Sequence, residues 1–351
     1  MKKYQPLRLG KNFFSILLDK KAATVITALA LLTLLLLLTS AGIGDVMLNP
    51  LQVFMTLLGY GEEMDLLVVQ SFRMPRILIA LLAGICLAIS GGILQGLIRN
   101  PLASPDIIGI TGGASIAVVG FFALFSDQNH SLTISIHFLP VAAFAGATLI
   151  GFIVYFLSWK KGASSFRLVL IGIGMSMLAQ SVTTFLMIQG PIYRASEANV
   201  WITGSVYGAN WEQVRILAPV TMVLVLISFV SARGINIQEL GDEIAKGVGS
   251  SVQRNRFLLL LLSTALTGSA VAFAGGIGFV GLIAPHIARR LVGSSFGALL
   301  PVSALIGGLL IMLADLIGRT LFAPLEIPAG VFTAAIGAPY FIYLLYKTRN
   351  S

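Results

Sequence analysis

The sequence predicts an all-α membrane protein that crosses the bilayer about ten times, with one of its helices short. Of its 351 residues, 57% are hydrophobic and only 11% are charged, whereas a soluble domain carries about 25% charged residues. Because so few charges cannot cover a water-facing surface, lipid must be the main solvent. The apolar residues also fall in uncharged stretches of about 20 residues, which is the length that a spanning helix needs.

These uncharged stretches predict the individual spans. One of them, 257–288, is too long for a single span and contains three glycines between 275 and 278. We divide it into a full helix near 257–274 and a short helix near 280–291, since clustered glycines mark a turn. The ten predicted spans are 22–41, 77–98, 107–126, 138–159, 168–189, 216–232, 257–274, 280–291, 296–314 and 329–346.

The distribution of basic residues supports ten spans. With the N-terminus inside, 18 of the 23 Lys and Arg residues lie on the predicted cytoplasmic side. Treating 257–288 as one span would reverse the later loops and leave only 15 there. Since cytoplasmic loops carry an excess of Lys and Arg, we expect both termini to be cytoplasmic. The chain then consists of a cytoplasmic tail at 1–21 and one transmembrane domain at 22–347, whose longest cytoplasmic loop is 233–256.

The chemically reactive residues argue against an enzyme. The chain has no G-x-x-x-x-G-K-[ST] motif and therefore no phosphate-binding loop. His130, His137 and His286 lack the spacing of metal ligands. Cys86, the single cysteine, lies in an apolar run and is interpreted as a small buried hydrophobe. We expect no catalytic residues, no metal and no cofactor. The net charge of +9 sits in short loops rather than on one face, so no nucleic-acid partner is expected either.

A buried charge is more informative. Asp315 lies within the ninth apolar run, and Arg319 follows four residues later, which is the favourable order for a pair on one helix. Ionisable residues inside a membrane are functional more often than not. Two interpretations stay open: a structural Asp315–Arg319 ion pair, or a substrate or proton role for Asp315, as in an ion-coupled secondary transporter.

Two connecting segments stand out. In the loop 233–256, Leu240, Ile244 and Val248 recur every four residues among charged neighbours and predict a short amphipathic helix. Such a helix either rests on its own membrane domain or docks a cytoplasmic partner. The segment 99–106 contains two prolines, which stop helix continuation, and Asp106 suits the first turn of the next helix. On spacing alone this second segment is a tight turn.

Several motifs occur in a fixed order from about residue 22 to 347. They are Arg73-Met74-Pro75-Arg76, Ser90-Gly91-Gly92 through Gln95, Arg99-Asn100-Pro101-Leu102-Ala103, Gly278-Phe279-Val280-Gly281-Leu282-Ile283-Ala284-Pro285-His286-Ile287-Ala288-Arg289, Ala314-Asp315 with Arg319, Glu326-Ile327-Pro328-Ala329-Gly330, Thr333-Ala334 and Gly337-Ala338-Pro339. In sequence and spacing they resemble the permease family of iron-chelate and vitamin B12 ABC importers, the FecCD/BtuC-like type II importers.

The resemblance implies a ten-helix, BtuC-like permease subunit in the bacterial cytoplasmic membrane. Its expected cargo is an iron–siderophore complex, with vitamin B12 or haem as the alternative. The expected partners are cytoplasmic ABC ATPase subunits, an extracytoplasmic substrate-binding protein, membrane lipid and a second permease subunit, in a homodimer or a heterodimer. ATP would be hydrolysed by the separate ATPase subunits.

The resemblance also implies roles for particular residues. Arginines of the family that face outward pair with acidic residues on the two lobes of the binding protein. The charge count independently places the three matching arginines outside, against the positive-inside trend. The residues carried over are Arg73, Arg76 and Arg319 for docking the binding protein, Leu240, Ile244, Gly247 and Val248 for coupling to the ATPase, and Asn100 and Leu102 for the cytoplasmic gate, with Ser164 and Ser165 joining the gate by position alone.

Overall fold

The chain folds into a bundle of helices. The computed structural model describes residues 4–9, 14–44, 46–127, 131–160 and 164–349, with the backbone alone at 4–18, 192, 344, 345 and 347–349. The helices are α1 Lys20–Gly42, α2 Pro50–Leu57, α3 Glu63–Leu66, α4 Met74–Ile98, α5 Ile110–Phe125, α6 Leu139–Leu157, α7 Ser165–Gln189, α8 Ile192–Thr203, α9 Trp211–Glu239, α10 Asp242–Gly247, α11 Val252–Ala274, α12 Val280–Val292, α13 Phe296–Thr320 and α14 Ala329–Arg349.

Ten of these helices correspond to the ten predicted spans. Within the described residues, seven helical segments are long and apolar enough to cross a membrane, and α5 and α14 are shorter apolar helices. The tenth is α12, with 13 residues. The prediction of an all-α polytopic fold with one short helix is confirmed.

Three helices form the centre of the bundle. The segment Glu63–Ile98 ends with α4, and 78% of its most apolar 18-residue stretch is buried inside the chain. The corresponding stretches of α11 and α13 are also mostly buried. For α1 the corresponding share is only 11%. The side chains of α1, α7 and α9 that face away from the chain are therefore available to lipid or to other subunits.

Glycines let the central helices approach closely. A methyl group on Gly91 of α4 would overlap the backbone of Gly281 in α12, and one on Gly84 would overlap the backbone of Gly307 in α13. In a membrane, helices associate through close packing at small residues rather than through the hydrophobic effect. These glycines fix α12 and α13 against α4.

The long apolar stretch breaks where the glycines predicted. α11 ends at Ala274, and the chain turns at Gly275, which has φ +68°. α12 begins at Val280 after Phe279, whose φ of +66° is uncommon for a non-glycine residue. The Phe279 side chain lies against Gly337 in α14. Because the first N–H groups of a helix have no intrahelical partner, a helix that begins inside the bundle offers these donors to buried acceptors nearby.

The chain's charged groups separate into two ends of the bundle. Arg73, Arg76 and Arg319 gather at one, which we call the arginine end. Arg99, Glu239 and α10 lie at the opposite end of the same helices, which we call the loop end. Since α1 runs toward the arginine end and α14 away from it, Lys20 and Arg349 both lie at the loop end. This is the side that the charge distribution predicts to be cytoplasmic.

Some local predictions differ from the structure. The predicted amphipathic helix is not continuous, because Gly241 adopts φ +116° and separates α9 from α10. The span predicted at 77–98 begins much earlier, since α3 and a π-helical turn at Leu67–Arg73 precede α4 without a break. In the predicted tail, Tyr4–Leu9 and Phe14–Asp19 form two antiparallel strands that the sequence did not suggest.

Candidate functional site

The arginine end is organised around Arg76. Its Nε lies 2.9 Å from Oδ1 of Asp315, and its Nη2 lies 2.8 Å from the same oxygen. Its Nη1 donates instead to Glu326, 2.9 Å from Oε2. The guanidinium also lies over the ring of Tyr207, 5.7 Å from its centroid. One planar fork therefore binds two carboxylates at once, an arrangement that suits Arg and not Lys.

The buried acid therefore has a closer partner than the predicted one. Arg319 Nε is 3.9 Å from Oδ2 of Asp315, a long ionic contact, whereas Arg76 makes direct hydrogen bonds to that carboxylate. The predicted Asp315–Arg319 pair is present but secondary. The i, i+4 spacing pointed to Arg319, but Arg76 reaches Asp315 from a helix far away in the sequence.

Arg73 and Arg319 bind the end of α1. Arg73 donates to the carbonyls of Ala41 and Val46, each at 2.7 Å. Arg319 donates to the carbonyl of Ile43 at 2.9 Å and to the carbonyl and hydroxyl of Ser40. The last carbonyls of a helix lack intrahelical partners and carry partial negative charge, so cations stabilise them. Both arginines are largely buried, Arg73 at 8% exposure.

The structure shows the surroundings of the three arginines predicted for docking, whose docking role stays a prediction. The sequence analysis expects all three on the outer side, where they would meet acidic residues of a partner. Two of them are turned inward onto the α1 terminus, and Arg76 is 14% exposed with its donors shared between Asp315 and Glu326. Burial of so many positive charges is stable because each meets carbonyl or carboxylate oxygens.

At the loop end, α10 presents apolar side chains outward. Leu240, Ile244 and Val248 are 64%, 54% and 64% exposed. Leu240 caps the end of α9 and Val248 caps the end of α10, so only Ile244 lies on the short helix itself. A side chain added at Gly247 would meet no other atom. The four residues predicted for coupling thus share one exposed, mainly apolar surface, which we call the α10 surface.

Ion pairs fix the α10 surface to the bundle. Asp242, the first residue of α10, binds Arg99 at the end of α4 and lies 3.1 Å from Nη2 of Arg256 in α11. Glu239 lies 2.9 Å from Nη1 of Arg289 in α12. Asp242 thus joins α10 to the ends of α4 and α11, and Glu239 joins the end of α9 to α12.

The predicted gate residues lie together beside these ion pairs. Arg99 ends α4 with φ +59°, and the side chain of Asn100 accepts a hydrogen bond from the backbone N–H of Leu102 at 2.9 Å. Ser165 donates to the carbonyl of Leu97 at 3.2 Å, and Ser164 caps α7. Ser165 therefore contacts the last turn of α4, directly before the segment 99–106. Residues 161–163, directly before Ser164, lie outside the described residues.

Asp106 is a polar link that sequence reasoning missed. Its carboxylate accepts hydrogen bonds from the Thr111 hydroxyl at 2.7 Å and from the backbone N–H of Phe279, while its carbonyl accepts from Ser176 at 3.3 Å. It lies before α5, whose N-cap is Gly109, and so outside the first turn predicted for it.

A signal for this link was present in the sequence. Asp106 is the only charged residue between Arg99 and Asp127. Its partner Phe279 precedes a helix that begins inside the bundle, where the N-terminal N–H groups attract an anion. The carboxylate thereby joins the segment 99–106, which is predicted to form a gate, to the start of α12.

The cysteine and the histidines considered in the sequence analysis make contacts of a structural kind where the structure describes them. Cys86 is buried, and its Sγ lies 3.3 Å from the hydroxyl of Thr221. His137 lies 3.8 Å from Glu212, with both side chains exposed, and the ring of His286 packs edge-on against Tyr340. His130 lies outside the described residues. Among the residues that the structure describes, no three His, Cys, Asp or Glu side chains form a group able to hold a metal.

Comparison with known proteins identifies the family. The model of the FecCD transport family matches residues 31–347. The chain belongs to the FecCD transport family. The prediction made from the motifs is therefore confirmed, and the match covers every helix of the bundle from within α1 to within α14.

Relatives of this FecCD protein include named permeases. It is 66% identical over 333 residues to the probable siderophore transport system permease protein YfhA of Bacillus subtilis (strain 168), covering 95% of this chain and 97% of that one. It is 47% identical over 320 residues to the achromobactin transport system permease protein CbrC of Dickeya dadantii (strain 3937), covering 91% of this chain and 90% of that one.

A solved structure shares the fold. It shows an inward-facing conformation of a chain assigned to the metal-chelate type of ABC transporter, and the two superpose with a TM-score of 0.82 at 31% identity. The match covers 93% of this FecCD chain and 99% of the other.

Proposed function

We propose that this chain is the membrane-spanning permease subunit of an ABC importer that carries a ferric siderophore across the bacterial cytoplasmic membrane. The observation that carries the proposal is the 66% identity, over 95% of the chain, to a protein named as a siderophore permease. The cargo passes along the permease, while ATP is hydrolysed by separate cytoplasmic subunits. The chain itself contributes no phosphate-binding loop.

The coupling proposal places the ATPase subunits against the α10 surface. Its exposed apolar side chains at Leu240, Ile244 and Val248 are suited to a protein groove. The ion pairs of Asp242 and Glu239 then transmit movement of α10 to α4, α11 and α12. Both chain termini are cytoplasmic in this arrangement, as the charge distribution predicts.

The gate proposal concerns the adjacent segment 99–106. Asn100 and Leu102 narrow the cytoplasmic mouth of the pathway between this chain and a second permease subunit, with Ser164 and Ser165 beside them. The contact from Ser165 to the Leu97 carbonyl supports a common position for the two segments. Asp106 connects the gate to α12, so movement of α12 would carry the gate with it.

The docking proposal places an extracytoplasmic binding protein at the arginine end. Arg76 is the guanidinium best placed to take part, because its neighbour Glu326 is 36% exposed and marks the edge of the cluster. Arg73 and Arg319 support the site by fixing the end of α1 beside it. Charge complementarity of this kind favours rapid, selective association.

The function is tested by uptake measurements in the host bacterium. Deleting the gene is expected to abolish uptake of radioactive iron presented as one class of ferric siderophore, and re-expression should restore it. The same cells should take up vitamin B12 and haem normally. Transport by the purified complex in liposomes should need ATP inside and an intact ATPase subunit. Uptake driven by an ion gradient without ATP, or loss of vitamin B12 or haem uptake alone, would contradict the proposal.

A further inference from the structure

Arg76 binds two carboxylates whose surroundings differ. The side chain of Asp315 is 4% exposed and belongs to α13, which is a rigid part of the core. The side chain of Glu326 is 36% exposed and belongs to the loop between α13 and α14. Asp315 takes the Nε and Nη2 donors, and Glu326 takes Nη1. The outward donor of Arg76 is therefore held by a residue that solvent and a partner can reach.

We propose that Glu326 is a resident carboxylate that occupies Arg76 in the free permease and is replaced by an acidic side chain of the binding protein on docking. This inference rests on the docking role given under Proposed function. According to this inference, Glu326 sets the affinity with which the binding protein docks. The occupant of the surface is a carboxylate-bearing lobe of the extracytoplasmic binding protein.

The geometry allows this exchange without moving Arg76. Asp315 holds the inner edge of the guanidinium through three hydrogen bonds, two to Nε and one to Nη2. The guanidinium carbon also lies 5.7 Å from the ring centroid of Tyr207, a cation–π contact on the same group. When Glu326 leaves, an incoming carboxylate finds Nη1 already oriented, so little conformational entropy is lost. The number of charged hydrogen bonds on Arg76 stays the same before and after docking.

The local charge makes the exchange favourable. The cluster itself sets three arginines, Arg73, Arg76 and Arg319, against the two carboxylates Asp315 and Glu326, so one positive charge in the cluster has no carboxylate of its own. Release of Glu326 leaves Nη1 of Arg76 without its carboxylate partner, so that this donor can bind another negative group. Because an ion pair with a solvent-exposed partner contributes little to stability, the contact of Arg76 with Glu326 is weak enough to be displaced. A desolvated pair across an interface is stronger.

The experiment measures docking with and without the resident carboxylate. The whole transporter, with its ATPase subunits, is reconstituted in lipid nanodiscs, and the Kd of its cognate binding protein is measured over a series of salt concentrations. Glu326→Gln is expected to tighten docking by about threefold to tenfold at low salt, since a competing charge is lost. In an Arg76→Gln background, which should weaken docking, Glu326→Gln should have no further effect.

Glu63→Gln is the matched control. Glu63 is exposed, lies on the helical segment that leads into Arg73, and has no ion-pair partner among the described residues. Glu63→Gln removes one negative charge from the arginine end, as Glu326→Gln does, and should change the Kd of the binding protein by less than about twofold. Equal tightening by Glu63→Gln and Glu326→Gln would reduce the effect to overall charge and overturn the inference.

The outcomes separate the inference from the docking role. If Arg76→Gln weakens docking while Glu326→Gln leaves it unchanged or weaker, Glu326 is not a competitor, and the docking role of Arg76 stands. If neither variant alters Kd at any salt concentration, the docking role itself is wrong and the inference falls with it. Tightening that depends on Arg76 supports both.

Discussion

At the residue scale, arginine has two separate uses at one end of this molecule. Arg73 and Arg319 donate to backbone carbonyls at the end of α1, whereas Arg76 binds carboxylates. In the sequence, all three lie in segments that the charge count places on the outer side of the membrane. What distinguishes them is the partner that the fold brings near, and for Arg76 that partner is more than 200 residues away in the chain.

The first residue-scale prediction concerns Arg319. Replacing it with Ala leaves the carbonyls of Ser40 and Ile43 without their donor and removes a positive charge from beside Asp315. Hydrogen bonds to charged groups are worth about 1.5–3 kcal/mol each in mutational studies. We therefore expect Arg319→Ala to lower the melting temperature of the purified protein by several degrees.

Arg215→Ala provides the comparison. Arg215 is exposed near the start of α9, and the start of α9 lies at the arginine end because Trp211 donates to the carbonyl of Gln70. Its removal should change the melting temperature little. Equal melting temperatures for the two variants would show that the α1 contacts do not stabilise the fold.

At the element scale, the bundle depends on broken rather than continuous helices. α12 begins inside the bundle, packs its Gly281 on Gly91, and ends at the loop end through Arg289. The segment 99–106, proposed as the gate, contacts the start of α12 through Asp106. Transporter sites are commonly built from discontinuous helices of this kind, because their free termini offer polar groups inside the membrane.

The element-scale prediction tests whether the gate segment moves. In a Cys86→Ser background, Leu102→Cys should react with a water-soluble maleimide at a rate that differs severalfold between the nucleotide-free and ATP-trapped complexes. Leu102 lies in a segment tied to α12 by Asp106, so a shift of α12 changes its access to water. Labelling is followed by mass spectrometry of the intact subunit.

Ser294→Cys serves as the reference for that measurement. Ser294 is exposed at the loop end, between α12 and α13, and outside the proposed gate. Its labelling should be similar in both nucleotide states. If Leu102→Cys also reacts at one constant rate, the segment is a static tight turn.

At the scale of the whole molecule, the sequence was sufficient for the order of the apolar spans but not for the shorter helices between them, the helix ends or the polar contacts. Uncharged windows of bilayer length and the Gly275 break were visible directly. The segment before α4 was missed because Glu63, Asp65 and Arg73 interrupt its apolar pattern, although Arg73 finds partners in α1. Local spacing likewise assigned Asp315 to Arg319, since contacts between distant helices leave no periodic trace.

Two central helices connect the molecule's two ends. The arginine end and the α10 surface are joined by α4, which begins beside Arg76 and ends at Arg99, the partner of Asp242. α13 connects the same ends, from Phe296 to Arg319. Because these helices are largely buried and closely packed, they form a continuous packed connection between the two ends.

The last prediction follows from that connection. Ile244→Asp places a charge in the centre of the exposed apolar α10 surface, where burial against an ATPase subunit would cost several kcal/mol. We expect it to abolish ferric-siderophore uptake and to reduce recovery of the ATPase subunits with the purified permease. The ion pairs of Asp242 and Glu239 do not involve Ile244, so the variant should insert in the membrane and keep the melting temperature of the isolated permease.

Ile244→Leu preserves the apolar surface and should transport normally, as should Lys246→Gln on the same short helix. Normal uptake and full recovery of the ATPase subunits with Ile244→Asp would show that coupling occurs elsewhere.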